Sequence, residues 1–92
     1  MEISDDLPGA DLVRAGLRDL ANGEESVEAL LVLIGAPRLR RLGFGVVDPP
    51  WYPEDRLYEK LSALHGDAAH SRYNALISRL VSFERAMECV KP

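Results

Sequence analysis

The feature that most constrains the fold is the stretch from residue 67 to residue 90, which contains neither proline nor glycine. These two residues are the ones that most often end or interrupt a helix. Without them, the stretch predicts one continuous helix of about 35 Å, at ~1.5 Å of rise per residue. Asp67 stands in front of this helix and is expected to be its N-cap.

One face of this predicted helix is apolar. Its members recur at alternating intervals of four and three residues: Ala69, Tyr73, Leu76, Leu80, Phe83, Met87 and Val90. This spacing forms a heptad seam. The seam is only three heptads long, which suits the core of a helical bundle better than a long coiled coil. We therefore expect the rest of the chain to pack against it.

A second face of the same helix carries only small side chains. They are also three or four residues apart: Ser71, Ala75, Ser78, Ser82, Ala86 and Cys89. Small side chains let another helix approach closely, although the same pattern is found on a solvated face. Because a short chain covers one face of a long helix more readily than two, we expect a second copy to cover the other. The predicted assembly is a two-fold homodimer, the commonest oligomer symmetry.

Three shorter helical segments are predicted ahead of the long one, at residues 7–21, 26–42 and 54–65, with the second broken at Pro37. Asn22-Gly23 and Gly66 are typical helix ends, and Ser26 is a typical N-cap. The segment Val27 to Ile34 is apolar nearly all round, so it should be the most buried element.

Residues 43–53 form the one long connection and are rich in proline and aromatic residues. We expect an ordered loop in which Phe44, Trp51 and Tyr52 lay their rings over the helices. The sequence as a whole predicts an all-α fold: residues 1–92 form a single domain, a small bundle of four helical segments with a long C-terminal helix.

Composition places limits on the setting of the protein. The 92 residues carry a net charge of −4, and Cys89 is the one cysteine, so no internal disulfide is expected. The longest apolar run, six residues at 29–34, is far below the roughly 18–20 needed to cross a bilayer. The acidic first residues do not resemble a secretory signal. These observations favour a cytoplasmic protein that has no membrane partner.

Arg72 and Arg79 are seven residues apart and so lie on one edge of the long helix. We expect them to pair with acidic residues of a neighbouring helix, such as Glu54, Asp55 or Glu59, or with carboxylates across a dimer. The alternative is a contact to an anion or phosphate, because the guanidinium fork suits such groups.

Arg38, Arg40 and Arg41 form the one basic run in the chain. Together with the preceding helix they fit the outline of a helix-turn-helix, in which this run would enter the major groove of DNA. A very short second helix, a proline in the turn and an acidic net charge argue against this interpretation. A nucleic-acid-associated regulator is therefore an alternative function, and nucleic acid is not the expected partner.

The densest group of potential metal ligands is His65, Asp67 and His70. Imidazole and carboxylate groups together can bind zinc or nickel. The spacing matches no established ligand pattern, and helix capping is a sufficient role for Asp67. A metal-dependent site is therefore a second alternative, and no cofactor is expected.

No catalytic motif or glycine-rich phosphate loop is recognisable in the chain. The absence of such a motif, the thin core of a short chain and the two faces of the last helix favour a non-enzymatic function. The sequence predicts a helical interaction or adaptor protein that acts as a homodimer or as a subunit of an assembly with a protein partner.

Overall fold

The computed structural model describes residues 6–49 and 51–90, and all regular secondary structure in this part of the chain is helical. The helices in chain order are α1 (Ala10–Ala21), α2 (Val27–Ile34), α3 (Ala36–Arg41), α4 (Pro53–His65), a short 3₁₀-helix (Gly66–Ala68) and α5 (Ala69–Val90). The predicted all-α fold with a long C-terminal helix is confirmed. None of these helices is both long enough and apolar enough to cross a membrane.

Helix α1 begins at Ala10, three residues later than predicted. The preceding Gly9 has a φ of 75°, which lies outside the helical region, and it is buried against α5. A Cβ at this position would lie 2.6 Å from the carbonyl oxygen of Arg79, so only glycine fits there. The start of α1 is therefore fixed by its contact with α5. Its end agrees with the prediction: Asn22 is the C-cap, and Gly23 follows with a φ of 74°.

Helix α2 lies at the centre of the fold. Its N-cap is Ser26, whose hydroxyl oxygen accepts a hydrogen bond of 3.0 Å from the backbone N–H of Ala29. The same hydroxyl donates to Asp19 of α1 at 2.5 Å, which links the two helices. All four side chains from Ala29 to Val32 are 0% exposed, so the predicted burial of this segment is confirmed.

The predicted interruption of this helix at Gly35-Ala36-Pro37 is present, but the break is at Gly35 and not at Pro37. Gly35 is both the C-cap of α2 and the residue before α3, while Pro37 lies in the first turn of α3. Proline is well tolerated in a first turn, because its missing N–H would have no helical acceptor there.

The loop before α4 covers the core with one aromatic ring instead of three. Phe44 is buried, and its ring centroid lies 6.0 Å from that of Phe83 in α5. Tyr52 is 76% exposed and Trp51 is 36% exposed, so the prediction that all three rings cover the bundle is wrong. The Trp51 ring instead contacts the guanidinium of Arg56, 4.7 Å from the ring centroid.

Helix α5 begins two residues after Asp67, which lies inside the 3₁₀-helix and is not the N-cap predicted for it. The chain reverses at Gly66, whose φ is 57°, and the tight 3₁₀ turn then leads into α5. Four residues of the predicted seam are buried: Ala69, Leu80, Phe83 and Met87. Val90, the last member, is 62% exposed, so the core ends before the seam does.

Candidate interaction surfaces on the C-terminal helix

The small-residue face of α5 points away from the core. Five of the six residues on this face are exposed and Ala86 is half-buried; we call this set the small stripe (Ser71, Ala75, Ser78, Ser82, Ala86 and Cys89). It contains no charged side chain, and the thiol of Cys89 is free. It extends for about 27 Å at ~1.5 Å per residue. The stripe is therefore open along its length to a second protein.

The edge with Arg72 and Arg79 lines a cavity of about 380 Å³. The other lining residues come from α2, α4 and α5: Val27, Glu28, Leu61, His65, Ala75 and Leu76. Arg79 pairs with Asp11 of α1, with 2.9 Å between Nη2 and Oδ1. Among the described residues, no carboxylate lies within ion-pair distance of Arg72.

The predicted pairing of these arginines with α4 is not found. Glu54 and Asp55 instead lie on the Tyr73 side of α5, where burial and these two carboxylates raise the pKa of the tyrosine hydroxyl. Tyr73 also contacts α4 through Tyr58, with 5.8 Å between the ring centroids. The acidic first turn of α4 therefore interacts with Tyr73 and not with the two arginines. Asp11 of α1 is the carboxylate that pairs with Arg79.

The basic run of α3 is tied to the rest of the chain. Arg38 binds Glu88 of α5, with Nη2 and Nε at 2.7 and 2.8 Å from Oε1. Arg40 binds Asp48, with 3.0 Å between Nη1 and Oδ1, and it donates to the carbonyl of Val46 at 3.1 Å. The hydrogen bond from Arg40 lowers the pKa of Asp48.

Arg41, the third residue of the run, also has an interaction partner. Helix α3 is only six residues long. A nucleic acid would therefore have to displace Glu88 and Asp48, which belong to this chain, before it could bind Arg38 and Arg40.

His65, Asp67 and His70 do not converge on a common point. His65 lines the cavity that also contains Arg72 and Arg79. The ring of His70 instead contacts Tyr58, and its Nε2 is 3.2 Å from Nδ2 of Asn74. Within residues 6–49 and 51–90, no group of three or more His, Cys, Asp or Glu side chains is arranged to hold a metal ion.

Glu84 of α5 is the feature that sequence reasoning missed. It is 4% exposed, and it is the one charged residue buried among those described. Oε1 lies 3.7 Å from Nη1 of Arg38, while Oε2 has no hydrogen-bond partner among the described residues. Burial raises the pKa of this carboxyl group, and so does Glu88, while Arg38 and Arg41 oppose the shift. Its position, four residues after Leu80 and three before Met87 of the seam, was the available signal.

A cavity of about 260 Å³ lies beside Glu84, between the α2–α3 turn and α5; we call it the Glu84 pocket. Its walls are mainly aliphatic, with two arginines: Ile34, Gly35, Pro37, Arg38, Arg41, Ile77, Leu80 and Val81. A Cβ added to Gly35 would lie 3.0 Å from Oε2 and 3.1 Å from a methyl carbon of Leu80. Glycine at this position therefore leaves room for the carboxyl group beside the turn between α2 and α3.

No protein-family model, no curated protein and no solved structure matches this chain. The three surfaces of α5 therefore have to be interpreted from their own chemistry.

Proposed function

We propose that the protein is a non-enzymatic interaction protein that pairs with a second copy of itself through the small stripe of α5. The observation that carries the proposal is the exposure of this face along nearly the whole helix. The six residues of the stripe carry no charge themselves, and charged residues are depleted at interface cores. Short side chains would also let two helices pack near the lower end of the usual 8–10 Å interaxial range.

The order of the small stripe suits an antiparallel pair of α5 helices. With a two-fold axis near residue 80, Ser71 would face the partner's Cys89 and Ser78 would face the partner's Ser82. These two pairs are small on both sides, and two-fold symmetry repeats each of them across the interface. Ala75 would then face the partner's Arg85, and Ala86 is the next residue along the partner helix. The opposite, parallel arrangement would instead bring the two copies of Cys89 together.

A cytoplasmic location is consistent with this interface, because a reducing compartment would keep the exposed Cys89 as a free thiol. A homodimer presents every other surface of the protein twice. This doubling supports an adaptor or an assembly subunit whose protein partner binds elsewhere on the bundle.

The first experiment is the molar mass in solution by light scattering. We expect a dimer for the wild type and a monomer for Ser78→Glu/Ser82→Glu, since four carboxylates would then meet at the centre of the interface. The matched control is Ser62→Glu/Ala63→Glu, which adds the same charge at exposed positions of α4 and should remain dimeric. A monomeric wild type at about 0.1 mM would refute the proposal.

A second experiment tests the orientation of the two helices. Ser71→Cys should form a covalent dimer under mild oxidation, because the introduced thiol of one copy would meet the partner's Cys89. The wild type, with Cys89 alone, should remain uncrosslinked, because two copies of Cys89 would be about 27 Å apart at ~1.5 Å per residue. Rapid crosslinking of the wild type would instead indicate a parallel pair.

A further inference from the structure

The Glu84 carboxyl group is more deeply buried than its contacts within the chain require. Its oxygen Oε1 is 3.7 Å from Arg38, whereas Glu88 binds the same guanidinium at 2.7 Å. Glu88 is therefore sufficient to hold Arg38, and through it α3, against α5. Oε2 accepts no hydrogen bond from a described residue, and the side chain of Glu84 lines an open cavity. A buried acceptor without a donor destabilises a fold, so this oxygen needs another explanation.

The lining of the Glu84 pocket indicates the chemistry of the group that would fit it. The carboxyl group of Glu84 can accept a hydrogen bond, and five aliphatic or proline side chains offer apolar contact. Arg38 and Arg41 also line the pocket and offer guanidinium groups that can pack on a ring. A neutral ring that carries an O–H or N–H satisfies all three conditions, because an arginine guanidinium also packs favourably on the face of an aromatic ring.

The size of the pocket favours one side chain over a whole small molecule. Its volume of about 260 Å³ lies below the roughly 300–1,000 Å³ that is typical of small-molecule sites. Tyrosine and tryptophan are also the commonest anchors at protein interfaces, where a ring fills a pocket and its polar end finds a partner.

We propose that the Glu84 pocket binds a tyrosine or tryptophan side chain of a partner protein, whose O–H or N–H donates to the carboxyl group of Glu84. This inference rests on the proposed interaction function and supplies the chemistry of the partner. It does not depend on the dimer, because the pocket opens on the side of α5 that faces the α2–α3 turn, away from the small stripe.

The test compares p-cresol, the side chain of tyrosine, with toluene, which has the same ring but no donor. Both are titrated into the wild type, and binding is followed by the NMR shifts of the methyl groups of Ile34, Ile77 and Val81. We expect millimolar binding of p-cresol at these methyls, with toluene about tenfold weaker, the difference of one hydrogen bond to a charged group. Equal binding of the two compounds, shifts elsewhere or no binding would overturn the proposal.

Two variants identify the acceptor. Glu84→Met keeps the length of the side chain and removes the acceptor, so the preference for p-cresol over toluene should disappear. Glu84→Gln retains a carbonyl oxygen, so part of the preference should remain. A preference that is unchanged in Glu84→Met would show that Glu84 is not the acceptor. The wild-type comparison stands even if a variant fails to fold.

The titration is repeated on Ser78→Glu/Ser82→Glu, in which the small stripe is altered and the pocket is intact. The same affinity for p-cresol in this variant is expected, so failure of the dimer and failure of the pocket can be told apart. Binding of p-cresol at micromolar concentration would indicate a site for a free aromatic molecule and would overturn the role as a side-chain anchor.

Discussion

Helices α2 and α5 use their surfaces in opposite ways. Helix α2 has eight residues, and neighbouring elements bury four of them in succession so completely that they are 0% exposed. Helix α5 has 22 residues, of which five are buried, and one of those five is a glutamate. A short helix can be enclosed by a small chain, whereas a long helix has more surface than 92 residues can cover. The core is therefore concentrated around α2, and most of the surface of α5 remains exposed.

The close approach of α1 explains how α2 becomes enclosed. Gly16 lies where the two helices cross, and a Cβ there would overlap the carbonyl oxygen of Glu28 and a methyl carbon of Val32. On α5, five of the six residues of the small stripe are instead exposed. Gly16 permits a close contact between α1 and α2. The serines of the small stripe lie on an exposed face of α5.

The largest expected effect is in the enclosed region. Leu30→Ala removes a side chain that is 0% exposed and should lower the free energy of unfolding by about 2–5 kcal/mol. Leu64→Ala, at an exposed position of α4, should change it by less than about 0.5 kcal/mol. Urea denaturation measures both. A loss below about 1 kcal/mol for Leu30→Ala would contradict the conclusion that α2 is enclosed in the core while other helical surfaces are exposed.

Gly16→Ala tests the crossing of α1 and α2 itself. Alanine is the better helix former, yet we expect a loss of about 1–3 kcal/mol, because the added methyl group meets backbone atoms of α2 that cannot move aside. Gly45→Ala is the matched control: its Cβ would have no heavy atom within 4 Å, so its stability should stay close to that of the wild type. A stabilised Gly16→Ala would mean that the two helices are not in close contact.

Glu84 should behave as a residue that weakens the fold. Replacing it with methionine should raise the free energy of unfolding by about 1 kcal/mol at pH 7, because a buried charge is exchanged for an apolar group. Urea denaturation at several pH values measures the change. If Glu84 instead stabilised the fold through Arg38, the variant would be the less stable protein at pH 7.

The pH dependence follows from the raised pKa of Glu84. The folded protein holds this proton more tightly than the unfolded chain, so the group's contribution to stability falls as the pH rises above its ordinary value of 4.5. Below that value the carboxyl is protonated in both states, and the advantage of Glu84→Met should shrink. An advantage that grows towards low pH would contradict a raised pKa.

The smallest expected effect on folding is on the open face of α5. In its monomeric form, Ser78→Glu/Ser82→Glu should differ from the wild-type monomer by no more than about 0.5 kcal/mol, since both serines are exposed. The wild-type Tm should rise with protein concentration because dimerisation stabilises the folded state. The Tm of the variant should not. Calorimetry over a roughly hundredfold range of concentration measures both.

The helices themselves could be predicted because their signals are local. Ser26 and Asn22-Gly23 act through hydrogen bonds to residues within a few positions along the chain, and the seam of α5 needs only a constant spacing. The errors fell where a distant element decides the outcome. Helix α1 does not begin before Ala10, because Gly9 lies against the backbone of Arg79, 70 positions later in the chain.

The candidate sites were predicted less completely. Position on a helix correctly placed the small stripe on the outside of α5 and put Arg72 and Arg79 together on one edge. The partners of the arginines were missed, since Arg38 pairs with Glu88, 50 positions later, and Arg79 pairs with Asp11, 68 positions earlier. Glu84 was missed because its burial depends on the space that Gly35 leaves at the turn between α2 and α3.

The sequence by itself determined the helices, their order and the two faces of α5, because backbone preference, capping and periodicity act between near neighbours. The tertiary structure alone decided which carboxylate meets which arginine, which aromatic ring is buried and that one glutamate is enclosed without a donor. These outcomes depend on how α5 is rotated and positioned against α1, α2 and α3. That geometry is set by the packing of the whole core, and no short segment contains it.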